Sequence, residues 1–238
     1  MVTNSGADGL RTVGDKRYLE QDGEIVGFGD AAFQVRAIPR KQAIDTIREH
    51  HYSRSIVNNA YVHLGVFWND EYQGALQFGY ALNPARAGRI VAGTGNREYL
   101  ELNRMWVSDT VPRNGESKAI AYAIRYIRRA YPQVGWIQSF ADERCGRYGV
   151  VYQACNFLYV GSHLTDFYEL DGQFYHKLLL TAHKKSGGRG RYLRENLSRA
   201  VRRRFRQFRY LHFLHPPARR RLLLTPQPYP KPDTECHE

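Results

Sequence analysis

Between Tyr99 and Phe140 the chain reads YLELNRMWV, then SDTVPRNGESKAIAYAIRYIRRAYP, then QVGWIQSF. Two runs dense in aromatic and aliphatic residues flank a stretch whose apolar positions, Ile120, Ala123, Ile124 and Ile127, recur at helical spacing. The pattern predicts a strong strand over Tyr99–Val107, a loop to Glu116 and a helix from Ser117 to about Ala130. Pro132 closes that helix, and a short buried strand follows over Gly135–Phe140. A helix with one apolar face beside such strands must cover a sheet, so the chain is committed to a layered α/β arrangement.

The flanking segments extend that sheet. Phe33–Ala37 reads as a strand, and Pro39 opens a helix carrying Ala43, Ile44, Ile47 and His51. Tyr61–Trp68 and Tyr72–Tyr80 form an expected hairpin around NDEYQG, while residues 83–97 are a Gly/Ala loop. A helix over Arg147–Cys155, a strand over Phe157–Val160 and a hairpin turning at Asp171-Gly172 complete the globular part. The expected fold class is α/β (α+β), a mixed central sheet flanked by helices. Residues 1–16 are polar and lack periodicity, residues 17–183 form the globular domain, and 184–238 form a basic arm and tail.

Charge sets that arm apart. Of the 35 Lys and Arg residues, 14 fall between Lys184 and Arg221 against one acid, Glu195. Leu197, Val201, Phe205, Phe208 and Leu211 lie along one stripe if the segment is helical, which predicts a basic amphipathic helix. Dense phosphate is the natural partner, because each cation placed on a phosphate releases condensed counterions. Aromatics interleaved with the charge add stacking. Arg202, Arg203, Arg204, Arg206, Arg209, Arg219, Arg220 and Arg221 are the expected nucleic-acid contacts. An anionic membrane surface is the rival partner for such a helix. No apolar run reaches the roughly 20 residues that span a bilayer. The three cysteines lack C-x-x-C spacing, which fits a reducing cytoplasm and excludes a disulfide scaffold.

Three sites stand out chemically. In VPRNGESKA, a loop after a strand opens a helix, so backbone N–H groups and the positive helix end face an anion. Val111, Arg113, Asn114, Gly115, Ser117 and Lys118 are the residues expected to hold a donor's phosphate; the alternative is an ordinary loop capped by Asn114 or Ser117. In EHHYS, the adjacent His50 and His51 diverge by about 100° on a helix and make a poor chelating pair, which leaves zinc disfavoured. In ELNRMW, alternation places Leu102, Arg104 and Trp106 on one face and Glu101 with Asn103 on the other. Arg104 among apolar residues is a candidate anion-holding group. Asp142 ends a sheet strand at its carboxyl end, either as a ligand-facing group or as the cap of the next turn.

Strand–VPRNGESKA–helix, WIQSFAD and RYGVVYQACNFLYVG together resemble the core of GNAT-type acyltransferases. The ordered set EHHYS, ELNRMWVSD, NGESKAI, SFAD, YGVVYQACNF and an Arg-rich segment ending in PYPK is similar, more narrowly, to the bacteriophage Mom family. That resemblance implies a GNAT-related enzyme acting in the host cell on double-stranded DNA. It would convert adenine to N6-(carbamoylmethyl)adenine and so protect the DNA from restriction. It also implies roles for His51 and Tyr52, the histidine suiting proton transfer at an adenine amine. Asp142 joins them, as does Tyr152 as general acid to the leaving group. The target base would be flipped into a pocket lined by aromatics such as Tyr52, Trp68, Tyr80 and Trp106.

The product group N–CH2–CO–NH2 is an isomer of an N-linked glycyl group, which points to aminoacyl transfer followed by rearrangement. Glycyl-tRNA, acetyl-CoA or another acyl-CoA are the donors in view, with tRNA then a second partner, and an iron-assisted route is open. Two other readings stand beside this one: a non-enzymatic nucleic-acid-binding protein on the same scaffold, and a coenzyme A-dependent N-acetyltransferase.

Overall fold

The structure, a computed structural model, describes residues 17–231 apart from 57, 82, 147 and 182–186. The polar segment 1–16 and the start of the expected linker after residue 183 therefore lie outside or partly outside the described residues. Ten strands form one sheet: β1 Arg17–Gln21, β2 Glu24–Gly29, β3 Phe33–Ala37, β4 Ala60–Trp68, β5 Glu71–Gly79, β6 Tyr99–Val107, β7 Trp136–Asp142, β8 Leu158–Leu170, β9 Gln173–His176 and β10 Val201–Phe213. Their spatial order is β1-β2-β3-β4-β5-β6-β7-β10-β8-β9. Every pairing is antiparallel except β6 with β7. The helices are α1 Arg40–His50, α2 Gly115–Ala130, α3 Val150–Ala154, α4 Leu178–Thr181, α5 Gly187–Glu195 and α6 Pro216–Arg220. The mixed sheet flanked by helices is the expected α+β class.

Tight turns hold the antiparallel run together. Asp22-Gly23, Asn69-Asp70 and Asp171-Gly172 all adopt paired positive φ, the backbone that matches the twist of a two-residue hairpin. The first of these hairpins, β1–β2, is absent from the sequence expectation although its Asp-Gly signal is present. Residues Phe157–Val160 and the first arm of the later hairpin are one strand, β8.

The larger correction concerns the arm. The stretch expected as a basic amphipathic helix is a strand: β10 runs antiparallel between β7 and β8 inside the sheet. Phe208, Tyr210 and Leu211 are buried, and the exposed residues, Val201 to Arg204 and Arg206, all lie in its first half. Burial on both faces of a central strand removes the strict alternation that marks a half-buried one. The apolar spacing then mimics a helical stripe. Helix persists only at the flanks of β10, in α5 and α6.

Two helices cover opposite faces of the sheet. α2 buries Ala119, Ile120, Ala123, Ile124 and Ile127 in a cluster with Leu76, Phe78, Leu102 and Val107. α1 packs over β4, β5 and β6, where His50 stacks on Trp106 with ring centroids 4.1 Å apart. Two features of β6 position the site. It pairs with β7 only over Tyr99–Glu101 and Trp136–Gln138, and beyond that the two parallel strands separate. Its register against β5 also slips, with Phe78 opposite Leu102 but Gln77 opposite Arg104. Asn103 is the extra residue of this bulge, so Leu102 and Arg104 lie on opposite faces, not on the shared face expected from alternation. Glu101 and Arg104 are thereby brought to the same side, the side of α1.

Candidate functional site

The gap between β6 and β7 is the throat of a cavity of about 2120 Å3 that opens to both faces of the sheet. Pockets for single small molecules run to roughly 1,000 Å3, so this cleft has room for two substrates at once. Its α2 side is lined by Val111, Arg113, Asn114, Gly115 and Ser117 together with Tyr152. Its α1 side is lined by His51, Tyr52, Arg104 and Asp142, with Glu101 and Gln138. The structure therefore gathers all five expected catalytic residues and five of the six expected donor-binding residues around one space. Lys118 is turned away: its Nζ pairs with Asp30 at 2.8 Å and sits over the Phe33 ring at 4.8 Å.

At the start of α2, Asn114 adopts φ 70° and makes no side-chain cap, while the Ser117 hydroxyl donates back to the Asn114 carbonyl at 3.0 Å. The first-turn N–H groups of Glu116 and Ser117 have no partner within the helix, as at any helix start. Both residues line the cavity. The short α3 brings Tyr152 to the throat, where its phenol contacts the Ser139 hydroxyl and burial pushes its pKa up to about 12. It is therefore a neutral O–H donor at physiological pH. Gly149, at φ 80°, starts α3 against the face of Tyr210, a place that tolerates no side chain.

His51 caps the end of α1 and is 7% exposed. Its Nδ1 accepts from the Ser53 backbone N–H at 3.1 Å, which leaves the ring proton on Nε2. Burial, reinforced by the Arg104 charge, lowers its pKa to about 3. The imidazole thus stays neutral and offers an N–H rather than cycling its charge. Tyr52 lies against it with centroids 4.3 Å apart and the rings tilted by 32°, and its hydroxyl meets Cys145. Arg104 donates from Nε to the Ser55 carbonyl at 3.0 Å and from Nη1 to the Asn103 carbonyl at 2.7 Å, which ties the loop after α1 to the bulge.

Asp142 shows the capping role directly, at the turn Glu143–Cys145, and stands in the cavity wall as well. Burial would raise its pKa, but four bonds from Arg144 outweigh that and hold the carboxyl below its usual range. Arg144 in turn lies over Phe167 at 4.1 Å, with Phe174 and Phe205 at 5.1 and 5.2 Å. Asp142 is a fixed anion.

Glu101 stands outside the sequence expectation. Its carboxylate accepts from Gln138 Nε2 at 2.7 Å and from Asn103 Nδ2 at 3.1 Å, yet burial dominates and raises its pKa to about 7. A carboxylate poised at neutral pH in a cleft is the profile of a general base. The bulge that brings Arg104 to the same side leaves no trace in the residue types of β6. Of the aromatics expected around a flipped base, Tyr52 and Tyr80 line the cavity; Trp106 is engaged by His50, and Trp68 packs against the core.

The sequence profile of the Mom protein family matches residues 32–231. The chain belongs to the Mom protein family. It is 54% identical over 216 residues, 90% of each chain, to "Methylcarbamoylase mom" of Escherichia phage Mu. Among solved structures it is similar to a ribosomal-protein-S5-alanine acetyltransferase from Vibrio fischeri, with TM-score 0.47, 11% identity, and coverage of 80% of this chain and 98% of that one. A second is NAA60 of Arabidopsis thaliana in complex with a bisubstrate analogue, with TM-score 0.48, 13% identity, and coverage of 76% and 97%.

The expected nucleic-acid residues of this Mom-family chain divide. Arg209 lines the cavity and lies over Phe140 at 5.2 Å, with no hydrogen bond or ion pair among the described residues. Arg202 and Arg204 both pair with Asp166, at 2.9 and 3.0 Å, and Arg203 pairs with Glu169 at 2.9 Å. Arg206 donates to the Ser162 hydroxyl at 3.1 Å and Arg221 to the Ala92 carbonyl at 3.0 Å. Arg219 and Arg220 are exposed on α6. Among the described residues no three His, Cys, Asp or Glu side chains converge as a metal site, so iron has no ligand set there. No helix among them is long and apolar enough to cross a membrane.

Proposed function

We propose that the protein transfers an activated acyl group to N6 of an adenine in double-stranded DNA, on the way to N6-(carbamoylmethyl)adenine, and so shields phage DNA from host restriction. The observation that carries this reading is the single cleft through the β6–β7 gap, with an anion cradle on the α2 side and a poised carboxylate on the α1 side. The 54% identity to a protein named methylcarbamoylase supports the product class.

In this scheme the adenine flips into the α1 side. N6 attacks the donor carbonyl, its proton passes to Glu101, and the oxyanion takes donors from His51 Nε2–H and Arg104. The bond to the carrier breaks as Tyr152 returns a proton to the leaving thiolate or ribose oxygen. If the group is glycyl, its free amine then bonds to C6 while the original N6 leaves C6 and becomes the amide nitrogen. The atoms balance, and the product is the carbamoylmethyl isomer. The carrier is an acyl-CoA or a glycyl-tRNA, its phosphates at the α2 N-terminus. Arg209, Arg219 and Arg220 hold the DNA backbone, with Arg202, Arg203, Arg204, Arg206 and Arg221 at its margin.

Mass analysis of nucleosides from DNA of cells expressing the protein tests this directly. The expected result is a modified adenine with wild type and none with His51→Ala or Asp142→Ala, while DNA binding persists. Feeding nitrogen-labelled glycine should place the label on the nitrogen attached to the purine ring. Unmodified DNA in wild-type cells would refute the activity, and an unlabelled modified base would refute the glycyl route.

A further inference from the structure

Three amide side chains lining the cleft, two of them bonded to Glu101, have their donor ends occupied and their acceptor ends bare. Asn103 Nδ2 donates to Glu101 at 3.1 Å and to the Tyr80 carbonyl at 3.2 Å. Gln138 Nε2 donates to Glu101 at 2.7 Å, and Asn59 Nδ2 donates to the Tyr80 carbonyl. These bonds determine the orientation of each amide, since a nitrogen must face every carboxylate or carbonyl. The oxygens Asn103 Oδ1, Gln138 Oε1 and Asn59 Oδ1 are then left buried and without partners. Asn103 is 8% exposed and Gln138 3%, and all three residues line the cavity. Buried acceptors are almost always paired, so the two on residues bonded to Glu101 call for a missing donor. On the neighbouring strand β10, Arg209 Nε lines the same cavity as a buried donor without a partner.

We propose that Asn103 and Gln138 read the exocyclic amine of the acceptor base: one N–H is shared by their bare carbonyl oxygens, and the other faces Glu101, which takes its proton. This rests on the reading of the cleft as an adenine-modifying site and adds how the base is chosen. An amine supplies the donors that the pocket lacks. A carbonyl at the same ring position, as in hypoxanthine or guanine, sets lone pairs against two amide oxygens and a carboxylate. Selection thus works by repulsion as well as attraction.

The test is fluorescence anisotropy of the full chain with single-stranded oligodeoxyadenosine and oligodeoxyinosine of equal length. Their backbones carry equal charge, so phosphate grip cancels from the comparison. Wild type should prefer deoxyadenosine by about tenfold, the size expected for one well-formed base contact. Asn103→Leu and Gln138→Met should each lose about tenfold on deoxyadenosine and nothing on deoxyinosine, which also shows that the variants are folded. Equal binding of the two by wild type, including no binding of either, overturns the proposal, as does a preference that survives both substitutions. Nucleoside mass analysis separates the two levels. Modified adenine without base discrimination sinks the amine-reading pocket and leaves the activity standing. Discrimination without modified adenine does the reverse.

Discussion

Glu101 carries the sharpest consequence of single-residue environment. Because burial raises its pKa to about 7, its usefulness as a base depends on pH near neutrality. The modification rate should climb with pH up to about 7 and level off above it. Glu101→Gln should remove that rise and lower the plateau by about 100-fold or more, within the usual range for a lost general base. Initial rates across a pH series check both. Stability runs in the opposite sense. The unfolded carboxyl loses its proton near 4.5 and the folded one near 7, so the contribution is whole below 4.5 and lost as pH rises to 7. Above pH 7 the buried charge should cost about 3 kcal/mol. Thermal unfolding should therefore show Glu101→Gln more stable than wild type at pH 8 and no better at pH 4. Alternation in β6 singled out Arg104, the family resemblance added His51, Tyr52, Asp142 and Tyr152, and all five line one cavity. Residue types hid Glu101, because one extra residue at Asn103 inverts the alternation on which the assignment to a face depends.

At the scale of elements, the strand–helix–strand unit, the Asp171-Gly172 hairpin and α1 were all visible, since each writes its period or its turn chemistry into a few consecutive residues. β10 was not. Its inner face meets β7 residues far away in sequence, and its Arg-rich outer end has the composition of a solvated arm. A peripheral arm and a central strand respond differently to the loss of one ring. Phe208 is 4% exposed within the main core, so Phe208→Ala should reduce folding stability by about 3–5 kcal/mol, the range for a buried aromatic cut to a methyl. Urea unfolding followed by circular dichroism measures it. A change under about 0.5 kcal/mol, normal for a surface position, would mean that β10 is not integral to the sheet.

For the whole molecule, the arginine count of the C-terminal segment overstates the charge free to meet DNA. Asp166 already faces Arg202, Arg204 and Lys177, and its carboxyl is held down near 2 by them. Glu169 faces Arg203. Each of those cations must leave an anion before it can take a phosphate, and the carboxylate it leaves attracts a cation that offsets part of what the DNA releases. Arg219 and Arg220 on α6 are exposed and make no ion pair among the described residues, so their full charge is available. Each phosphate neutralised contributes about 0.9 to the slope of log K against log salt. Replacing Arg219 and Arg220 together by Ala should therefore flatten that slope by about 2, while replacing Arg202 and Arg204 together should change it by less than about 1. Anisotropy titrations with duplex DNA between about 50 and 200 mM salt resolve the difference. Equal flattening by both pairs would show that the Asp166 ion pairs open on binding and that the whole β10 end grips the backbone. A flat response to both would move the DNA path off this face, leaving Arg209 within the cleft to hold the phosphate of the reacting nucleotide alone.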